Sequence, residues 1–280
     1  MSAAAKLCII AGGGSAPRQL IAACQNLGRE FYLVCLEGQA DDGLGEGLPH
    51  VWLPLGAGEK LKELFEAQAI VEVVMIGRVR RPSLLEIKPD WLTLKVLTKI
   101  GISSLGDDGL LRAIGKVFEE ECAVRVIAAH DVFAAMLAPS GCLTRIAPDA
   151  VAEGDARRGV EVAQALGRID VGQAVVVQQG IVLGVEAIEG TDALLARCAT
   201  LRREGLGGVL VKLAKPQQDN RFDLPTVGPD TVRQAALAGL RGIVFQAGRS
   251  LLLERAATAA AADAAGIFMV GLTLDATPHV

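Results

Sequence analysis

The sequence predicts an α/β protein of two domains, the first of them built around a parallel β-sheet. Short apolar runs, typical of buried parallel strands, alternate with helical patterns through the first half of the chain. Residues 130–148 interrupt this alternation with prolines and a glycine, and the alternation resumes after them. Since a domain holds about 150 residues on average, the length of 280 residues agrees with two domains.

The first domain is predicted over residues 1–130 and begins with a strand at residues 7–11. Three glycines end this strand, and Pro17 then marks a helix start, because the first turn does not need its missing N–H. Further strands are predicted at residues 31–36, 51–53, 71–76 and 124–127, with helices from residue 17, from residue 61 and at residues 110–121. Repeated strand–helix alternation indicates a parallel sheet covered on both faces, and hence a Rossmann-like domain.

Residues 131–148 are interpreted as a linker, and residues 149–280 as a second α/β domain. Its strands are predicted at residues 174–178, 181–185, 209–212, 243–245 and 268–272, and its helices at residues 150–166, 191–204, 230–238 and 251–265. Only Gln179-Gly180 separates the first two of these strands, which predicts a tight turn between them.

The composition excludes several classes of protein. Hydrophobic residues make up 51% of the chain, yet no apolar run approaches the roughly 20 residues of a membrane-spanning helix. A net charge of −4 and an aromatic content of 4% disfavour a nucleic-acid-binding surface. The six cysteines form no Cys-x-x-Cys pair, so we expect buried, reduced thiols rather than a zinc or redox motif. Because the N-terminus shows no signal-peptide pattern, we expect a cytoplasmic protein.

A glycine loop joins the first strand to the first helix and consists of Gly12, Gly13, Gly14 and Ser15. Glycines at this place let backbone N–H groups approach an anion at the helix N-terminus. Gly12 and Gly14 fit the dinucleotide fingerprint and Glu37 is suitably placed, but Pro17 stands at the third glycine position. Binding of a nucleotide or phosphate, binding of a nicotinamide dinucleotide and a purely structural turn therefore all stay open.

The densest polar cluster, residues 212–225, directly follows a predicted strand and would lie at the carboxyl edge of its sheet. Ligands bind at that edge in open α/β folds. Two of its basic residues, Lys215 and Arg221, can neutralise phosphate oxygens, and its two aspartates offer hard oxygen ligands to Mg²⁺. A solvated loop is the alternative, but two prolines and Phe222 favour a fixed, functional loop. The candidate residues are Lys212, Lys215, Gln218, Asp219, Arg221 and Asp223.

A second polar segment follows the strand predicted at residues 181–185. Glu186 and Glu189 flank the strand end, and Gly190 permits an anion to approach the next helix. Thr191 is a further candidate for contact with substrate, although capping of the helix by Thr191 or Asp192 explains the segment equally well.

Arg78 follows the strand predicted at residues 71–76 and is a candidate for binding substrate, with a solvated loop as the alternative. The three histidines are isolated and accompany no Ser or Cys constellation, so the sequence offers no hydrolase triad.

Five stretches together carry a family resemblance: IIAGGGSAPRQL, SSLGDDGLLRAI, GVEAIEGTDALLARC, VKLAKPQQDNRFDLPTVGPDT and AGLRGIVFQAG. They resemble the UDP-2,3-diacylglucosamine diphosphatases of bacterial lipid A synthesis, in the form unrelated to calcineurin-like metallophosphoesterases. The resemblance covers nearly the whole chain, and the KPxQDxRFDLPxVG pattern is its most specific part. Ser15-Ala16 departs from the Leu-Pro common after the glycines, whereas Pro17 is retained.

The resemblance implies a hydrolase that uses Mg²⁺, or Mn²⁺ in its place, and holds its lipid substrate between two α/β domains. UDP-2,3-diacylglucosamine would be cleaved to UMP and 2,3-diacylglucosamine 1-phosphate, called lipid X. Asp223 would be the leading catalytic or metal-binding carboxylate, and Asp219 would assist it. The other implied roles are diphosphate binding by Lys212, Lys215 and Arg221, sugar-phosphate contact by Gly190 and Thr191, and nucleotide or phosphate contact by the loop from Gly12 to Ser15.

The acylated substrate also implies partners. Its two fatty chains need an apolar cavity and suggest peripheral association with the inner face of the cytoplasmic membrane, while a homodimer is expected from base rates alone. Two other functions stay open: an NAD(P)-dependent oxidoreductase that uses the glycine loop, and a non-catalytic nucleotide or lipid carrier.

Overall fold

The computed structural model describes residues 5–80, 89–100, 107–222 and 224–274, and of residues 96–100 and 107–108 it describes the backbone. The chain divides into two compact units. Unit 1 takes in the described residues of Met1–Ala134 and of Asp219–Asp223, and unit 2 those of Ala135–Gln218 and Leu224–Val280. The domain bounds of 1–130 and 149–280, with a linker at 131–148, stay a prediction.

Unit 1 contains a sheet of five parallel strands, which confirms the parallel sheet predicted for the N-terminal domain. The strands are β1 (Leu7–Ala11), β2 (Phe31–Leu36), β3 (His50–Leu53), β4 (Glu72–Ile76) and β5 (Arg125–Val126). Their spatial order is β3-β2-β1-β4-β5, so the direction of winding reverses between β1 and β4. In open α/β sheets this switch point is where a crevice for ligands forms.

The helices of unit 1 are α1 (Ser15–Asn26), α2 (Gly58–Ala67), α3 (Trp91–Ile100), α4 (Asp107–Cys122) and α5 (Ala129–Val132). Helices α3 and α5 were not predicted from the sequence. On one face of the sheet the core contains Phe65 and Phe118, whose rings pack edge to face at 5.8 Å between centroids. Phe222, from the short second segment of this unit, belongs to the same core and is 1% exposed.

Unit 2 contains a mixed sheet of six strands in the order β6-β13-β11-β9-β7-β8. The strands of this unit are β6 (Gly141–Cys142), β7 (Ala174–Gln178), β8 (Ile181–Val185), β9 (Val209–Lys212), β10 (Thr226–Val227), β11 (Gly242–Gln246), β12 (Leu251–Leu252) and β13 (Phe268–Leu272). Strands β9, β11 and β13 are parallel, whereas β6, β7 and β8 run antiparallel to their neighbours. Short strands β10 and β12 pair with each other.

The helices of unit 2 are α6 (Ala150–Arg168), α7 (Gly190–Thr200), α8 (Pro229–Leu237) and α9 (Arg255–Ala264). Helix α6 begins where the Asp149 carboxylate accepts a hydrogen bond from the Ala152 N–H at 2.8 Å. A Cβ on Gly159 would lie 2.4 Å from Val211 Cγ2, so this glycine lets α6 pack closely on β9. Helix α6 and the end of β9 therefore hold adjacent positions in this unit.

The turn at Gln179-Gly180 is confirmed as the connection of a two-residue hairpin. Both residues have positive φ, 54° and 75°, as this kind of turn requires. The buried carboxylate of Asp155 accepts hydrogen bonds from the Gln179 N–H at 3.1 Å and the Gly180 N–H at 2.6 Å. A residue of α6 therefore fixes the hairpin between β7 and β8.

The continuous helix predicted over residues 251–265 is wrong. Leu251 and Leu252 form a buried strand, and the helix begins only at Arg255. Glu254 separates the two elements with a φ of 45°, in the left-handed region. Leu251 and Leu252 are therefore a core strand rather than a first helical turn, and Leu253 is buried in the turn that follows. In the described part of the chain, no helix is both long and apolar enough to cross a membrane.

Candidate functional site

The glycine loop after β1 packs tightly against the chain that follows β4. A Cβ on Gly12 would lie 2.4 Å from the Arg78 carbonyl oxygen, and one on Gly13 would lie 2.7 Å from the Gln39 carbonyl oxygen. Gly13 and Arg78 exchange backbone hydrogen bonds of 2.9 and 2.8 Å. Packing alone therefore requires glycine at these two positions, and the predicted contact of the loop with a nucleotide or phosphate stays a prediction.

A guanidinium group and a carboxylate both lie beside the start of helix α1. Gly14 is the N-cap residue, with a φ of 93° and no side-chain cap, and Ser15 is the first helical residue. The Arg78 guanidinium lies against this start, with Nε 3.5 Å from the position of a Cβ on Gly14. Asp41 Oδ1 accepts a hydrogen bond from the Gly14 N–H at 3.3 Å. A helix N-terminus and a guanidinium both favour negative charge, and the Asp41 carboxylate supplies part of it here.

Asp219 and Arg221 form an ion pair in unit 1 that Glu119 of α4 extends. Arg221 Nη2 lies 2.8 Å from Asp219 Oδ2, and Arg221 Nη1 lies 2.7 Å from Glu119 Oε1. Burial alone would raise the pKa of Asp219, but hydrogen bonds from Arg221 outweigh it and hold this pKa below its usual range. The bond with Asp219 also raises the pKa of Arg221. Both groups are therefore charged at neutral pH.

The predicted metal ligands do not form a ready cation site in the described residues. Both Asp219 oxygens accept hydrogen bonds from Arg221, Oδ1 from the backbone N–H at 3.0 Å and from Nε at 3.2 Å, and Oδ2 from Nε at 3.1 Å and Nη2 at 2.8 Å. Asp223 lies outside the described residues. Across residues 5–80, 89–100, 107–222 and 224–274, no three His, Cys, Asp or Glu side chains are grouped to hold a metal ion.

Lys212 ends strand β9 at the carboxyl edge of the sheet in unit 2, as predicted. Its side chain is buried, and Nζ donates a hydrogen bond to the Thr226 carbonyl oxygen at 3.0 Å. A buried ammonium group needs such partners because desolvation disfavours its charge. Lys212 is thus held at the place where the polar cluster leaves the sheet.

Further along the polar cluster, Lys215 to Gln218 form a turn whose first and last residues are joined by two hydrogen bonds. The Gln218 N–H donates to the Lys215 carbonyl oxygen at 3.0 Å, and Gln218 Oε1 accepts from the Lys215 N–H at 3.0 Å. Lys215 Nζ forms an ion pair with Asp170, and Arg249 Nη2 donates to the Gln218 carbonyl oxygen at 3.0 Å. Burial lowers the pKa of Arg249. The segment is therefore a fixed loop rather than a freely solvated one.

Hydrogen bonds within the segment from Glu186 to Thr191 fix its conformation. Buried Glu186 accepts hydrogen bonds from the Gln173 N–H at 3.0 Å and the Thr191 hydroxyl at 2.6 Å. Glu189 is the N-cap residue of α7, and its Oε1 lies 2.9 Å from Arg197 Nη2. The pKa of Glu189 is lowered, chiefly by a hydrogen bond from its own backbone N–H. Helix α7 begins at Gly190, so the suggested caps, Thr191 and Asp192, lie inside the first turn instead. Contact of this segment with substrate stays a prediction.

The structure thus divides the predicted residues among separate groups. In unit 1 it brings the glycine loop to Arg78 and pairs Asp219 with Arg221, and in unit 2 it gathers the turn from Lys215 to Gln218 near the end of α6. Three residues in these contacts were not predicted from the sequence: Glu119, Asp170 and Arg249. Of these, only Arg249 had a usable signal, because it follows a predicted strand at the same sheet edge as Lys212.

Comparison with known proteins assigns both halves of the chain. Residues 6–136 match the family described as the LpxI N-terminal domain, and residues 139–270 match the LpxI C-terminal domain. The UDP-2,3-diacylglucosamine pyrophosphatase LpxI of Caulobacter vibrioides is 40% identical over 274 residues, which cover 95% of this chain and 97% of the relative. Because both domains match in order over nearly the whole length, the chain belongs to the LpxI family.

Proposed function

We propose that this chain hydrolyses the diphosphate of UDP-2,3-diacylglucosamine, a step of lipid A synthesis, and releases UMP and lipid X. The observation that carries the proposal is the 40% identity, over 95% of the chain, with a relative named as a pyrophosphatase of this compound. The reaction is the hydrolysis of a phosphoric anhydride, so it needs neutralisation of phosphate charge and an oriented water molecule.

Cationic side chains of the polar cluster would neutralise the diphosphate. Lys212 and Lys215 each hold an ammonium group near the end of β9, fixed by the contacts described above. A guanidinium group has five N–H donors, and the bonds of Arg221 to Asp219 and Glu119 leave a donor on each Nη for phosphate oxygens. These groups are fixed before substrate arrives, which favours stabilisation of charge in the transition state.

The two aspartates would have different tasks. Asp219 is engaged by Arg221, so its part in the reaction would be to orient that guanidinium. Asp223, the other aspartate of this motif, would orient the attacking water and accept its proton, which is the task of a general base.

We also propose that Mg²⁺, or Mn²⁺ in its place, assists the reaction. A bound ion of this kind would supply further neutralisation of the diphosphate and polarise its oxygens. The described residues do not fit a site built of protein ligands alone, and Asp219 could bind the ion only if Arg221 released its oxygens. Mg²⁺ commonly binds through one or two carboxylates and the substrate phosphates, so Asp223 and the diphosphate itself are the ligands we propose.

The remaining proposed contacts concern the ends of the substrate. The loop from Gly12 to Ser15 and Arg78 would bind the nucleotide phosphate, because the start of α1 and the guanidinium both attract anions. Gly190 and Thr191 would contact the sugar phosphate, and Glu186 and Glu189 are proposed as further contacts with substrate. Gln218 would act through the turn that it closes.

The acyl chains of the substrate are the reason to propose peripheral binding to the inner face of the cytoplasmic membrane, and a homodimer is proposed from base rates. Sedimentation with phospholipid vesicles, with and without substrate, tests the first proposal, and light scattering after gel filtration tests the second. Recovery of the protein only in the supernatant, or a monomer mass at micromolar concentration, would contradict them.

The activity is tested by following UMP release from UDP-2,3-diacylglucosamine with and without a chelator. We expect chelator-sensitive release by the wild type, and we expect Asp223→Ala to bind substrate without turnover. Glu161→Ala is the matched control, because Glu161 forms only an exposed ion pair with Arg158 on α6. UMP release that continues in the presence of the chelator would contradict the proposed role of the metal. Near-normal turnover by Asp223→Ala would contradict the proposed role of Asp223. Binding without release would favour a carrier, and a nicotinamide-dependent absorbance change an oxidoreductase.

A further inference from the structure

We propose that Asp170 is a positioning residue for the reaction and that it acts by holding the ammonium group of Lys215. This inference rests on the proposed function, in which Lys215 binds the diphosphate. Asp170 does not belong to the polar cluster, since it follows the end of helix α6 and lies 45 residues before Lys215 in the chain.

The end of α6 supports the turn from Lys215 to Gln218 at three points. Lys215 Nζ pairs with Asp170 Oδ1, and the Gln217 side-chain amide donates to the Gly167 carbonyl oxygen at 2.8 Å. A Cβ on Gly167 would lie 2.9 Å from Pro216 Cδ and 3.3 Å from Lys215 Cα, so the turn rests directly on the helix. Consecutive residues of the turn therefore each contact the same helix end.

Asp170 itself is held firmly. Its N–H donates to the Gly167 carbonyl oxygen at 3.1 Å, and the next N–H, of Val171, donates to Leu166 at 3.1 Å, which closes the end of the helix. The φ of Asp170 is 57°, in the left-handed region that Asp and Asn tolerate better than most residues. The backbone that carries this carboxylate is therefore fixed, and the carboxylate pairs with Lys215 from that fixed position.

The pair is shielded, as only 11% of the Lys215 side chain and 24% of the Asp170 side chain are exposed. A lysine has a flexible four-carbon stem and loses rotamer freedom when it binds an anion. Asp170 imposes that loss before substrate arrives. Because an ammonium group has three donors, the bond to Asp170 leaves Lys215 the capacity to bind phosphate oxygens. Preorganisation of this kind promotes the chemical step.

The experiment is a double-mutant cycle on UMP release with Asp170→Asn, Lys215→Met and the double variant. Asn is isosteric with Asp and accepts the left-handed backbone, so Asp170→Asn should fold, which thermal unfolding checks. We expect Asp170→Asn to lower kcat/KM about 10–100-fold. In the Lys215→Met background the same change should have little further effect, because the residue acts through Lys215. Glu161→Gln on α6 is the control and should leave kcat/KM unchanged.

Hydrogen exchange of residues 215–218 gives a readout that does not depend on activity. We expect faster exchange in this segment for Asp170→Asn and wild-type exchange for Glu161→Gln. Additive effects on kcat/KM, or unchanged activity and exchange in Asp170→Asn, would overturn the proposal. A wild type that releases no UMP would overturn the proposed function and with it the positioning role of Asp170 in the reaction. The exchange data would then decide separately whether Asp170 holds the turn.

Discussion

Phe222 lies against Gly115 of helix α4, and its ring fills the space that a side chain on Gly115 would need. A Cβ on Gly115 would lie 2.4 Å from Phe222 Cζ. Arg221, the preceding residue, pairs with Glu119 one turn further along the same helix. The anchored Phe222 ring therefore holds Arg221 against helix α4, where Arg221 pairs with Glu119.

Gly115→Ala should consequently destabilise the protein, although the same change in a helix usually stabilises by about 0.5–1 kcal/mol. The ring has to move, and such overpacking costs about 1–3 kcal/mol. Displacement of Arg221 should also lower UMP release. Gly154→Ala in α6 is the matched control, because the nearest atom lies 3.9 Å from its Cβ position. Urea unfolding of both variants checks the prediction, and equal stabilisation by both would contradict it.

Asp219→Asn should change how stability depends on pH. The folded protein lowers the pKa of Asp219 through hydrogen bonds from Arg221, so its charged form stabilises the fold. This stabilisation is complete at pH values above the ordinary carboxyl pKa of about 4, which applies to the unfolded chain. It is lost as the pH falls through the lowered pKa of the folded protein. The wild type should therefore be more stable than the variant at neutral pH, with the difference shrinking below about pH 4. Urea unfolding over a pH series measures it, and a constant difference down to pH 2 would refute the assignment.

Arg78→Met should weaken the binding of UMP by roughly 10–100-fold, the size expected for a lost charge-assisted hydrogen bond. The reason is the position of Arg78 against Gly14 at the start of α1. Isothermal titration measures the dissociation constant. Arg158→Met, which removes an exposed cation paired with Glu161, serves as the control. Equal affinities of the two variants would place the nucleotide phosphate elsewhere.

Cys142 should be the one thiol that reacts rapidly with Ellman's reagent in the native protein. It is exposed, whereas the other five cysteines are buried. Burial raises the pKa of Cys35 to about 11 and also raises those of the other buried thiols, which keeps them protonated. Unfolding should release all six thiols, and Cys142→Ser should abolish the native reaction. Rapid reaction of a second native thiol would contradict the burial seen here.

Strands and their turns were predictable because local patterns specify them. The apolar run before Gly12 is β1, the run at Val209–Lys212 is β9, and Gln179-Gly180 connects a hairpin, all as predicted. For Leu251 and Leu252 the prediction of a helix was wrong, since a short apolar run suits a buried strand or a buried helix equally well.

The candidate site was predictable in its residue types and less so in its contacts. Sequence position indicated Lys212 at a sheet edge, and the structure places it there. The partners of Lys215 and Arg221 lie 45 and 102 residues away, and no periodicity connects such distant positions. Asp219 was predicted to bind metal and Arg221 to bind phosphate, whereas the two side chains bind each other.

The location of Phe222 also bears on the order in which the protein is made and folded. Domains usually fold as units during synthesis, beginning from the N-terminus. Here the core of unit 1, otherwise drawn from Met1–Ala134, includes a ring that the ribosome adds only at position 222. Complete packing of the unit 1 core beside α4 therefore requires that Ala135–Gln218 be translated first. Truncation of the gene after the first unit would leave that packing incomplete.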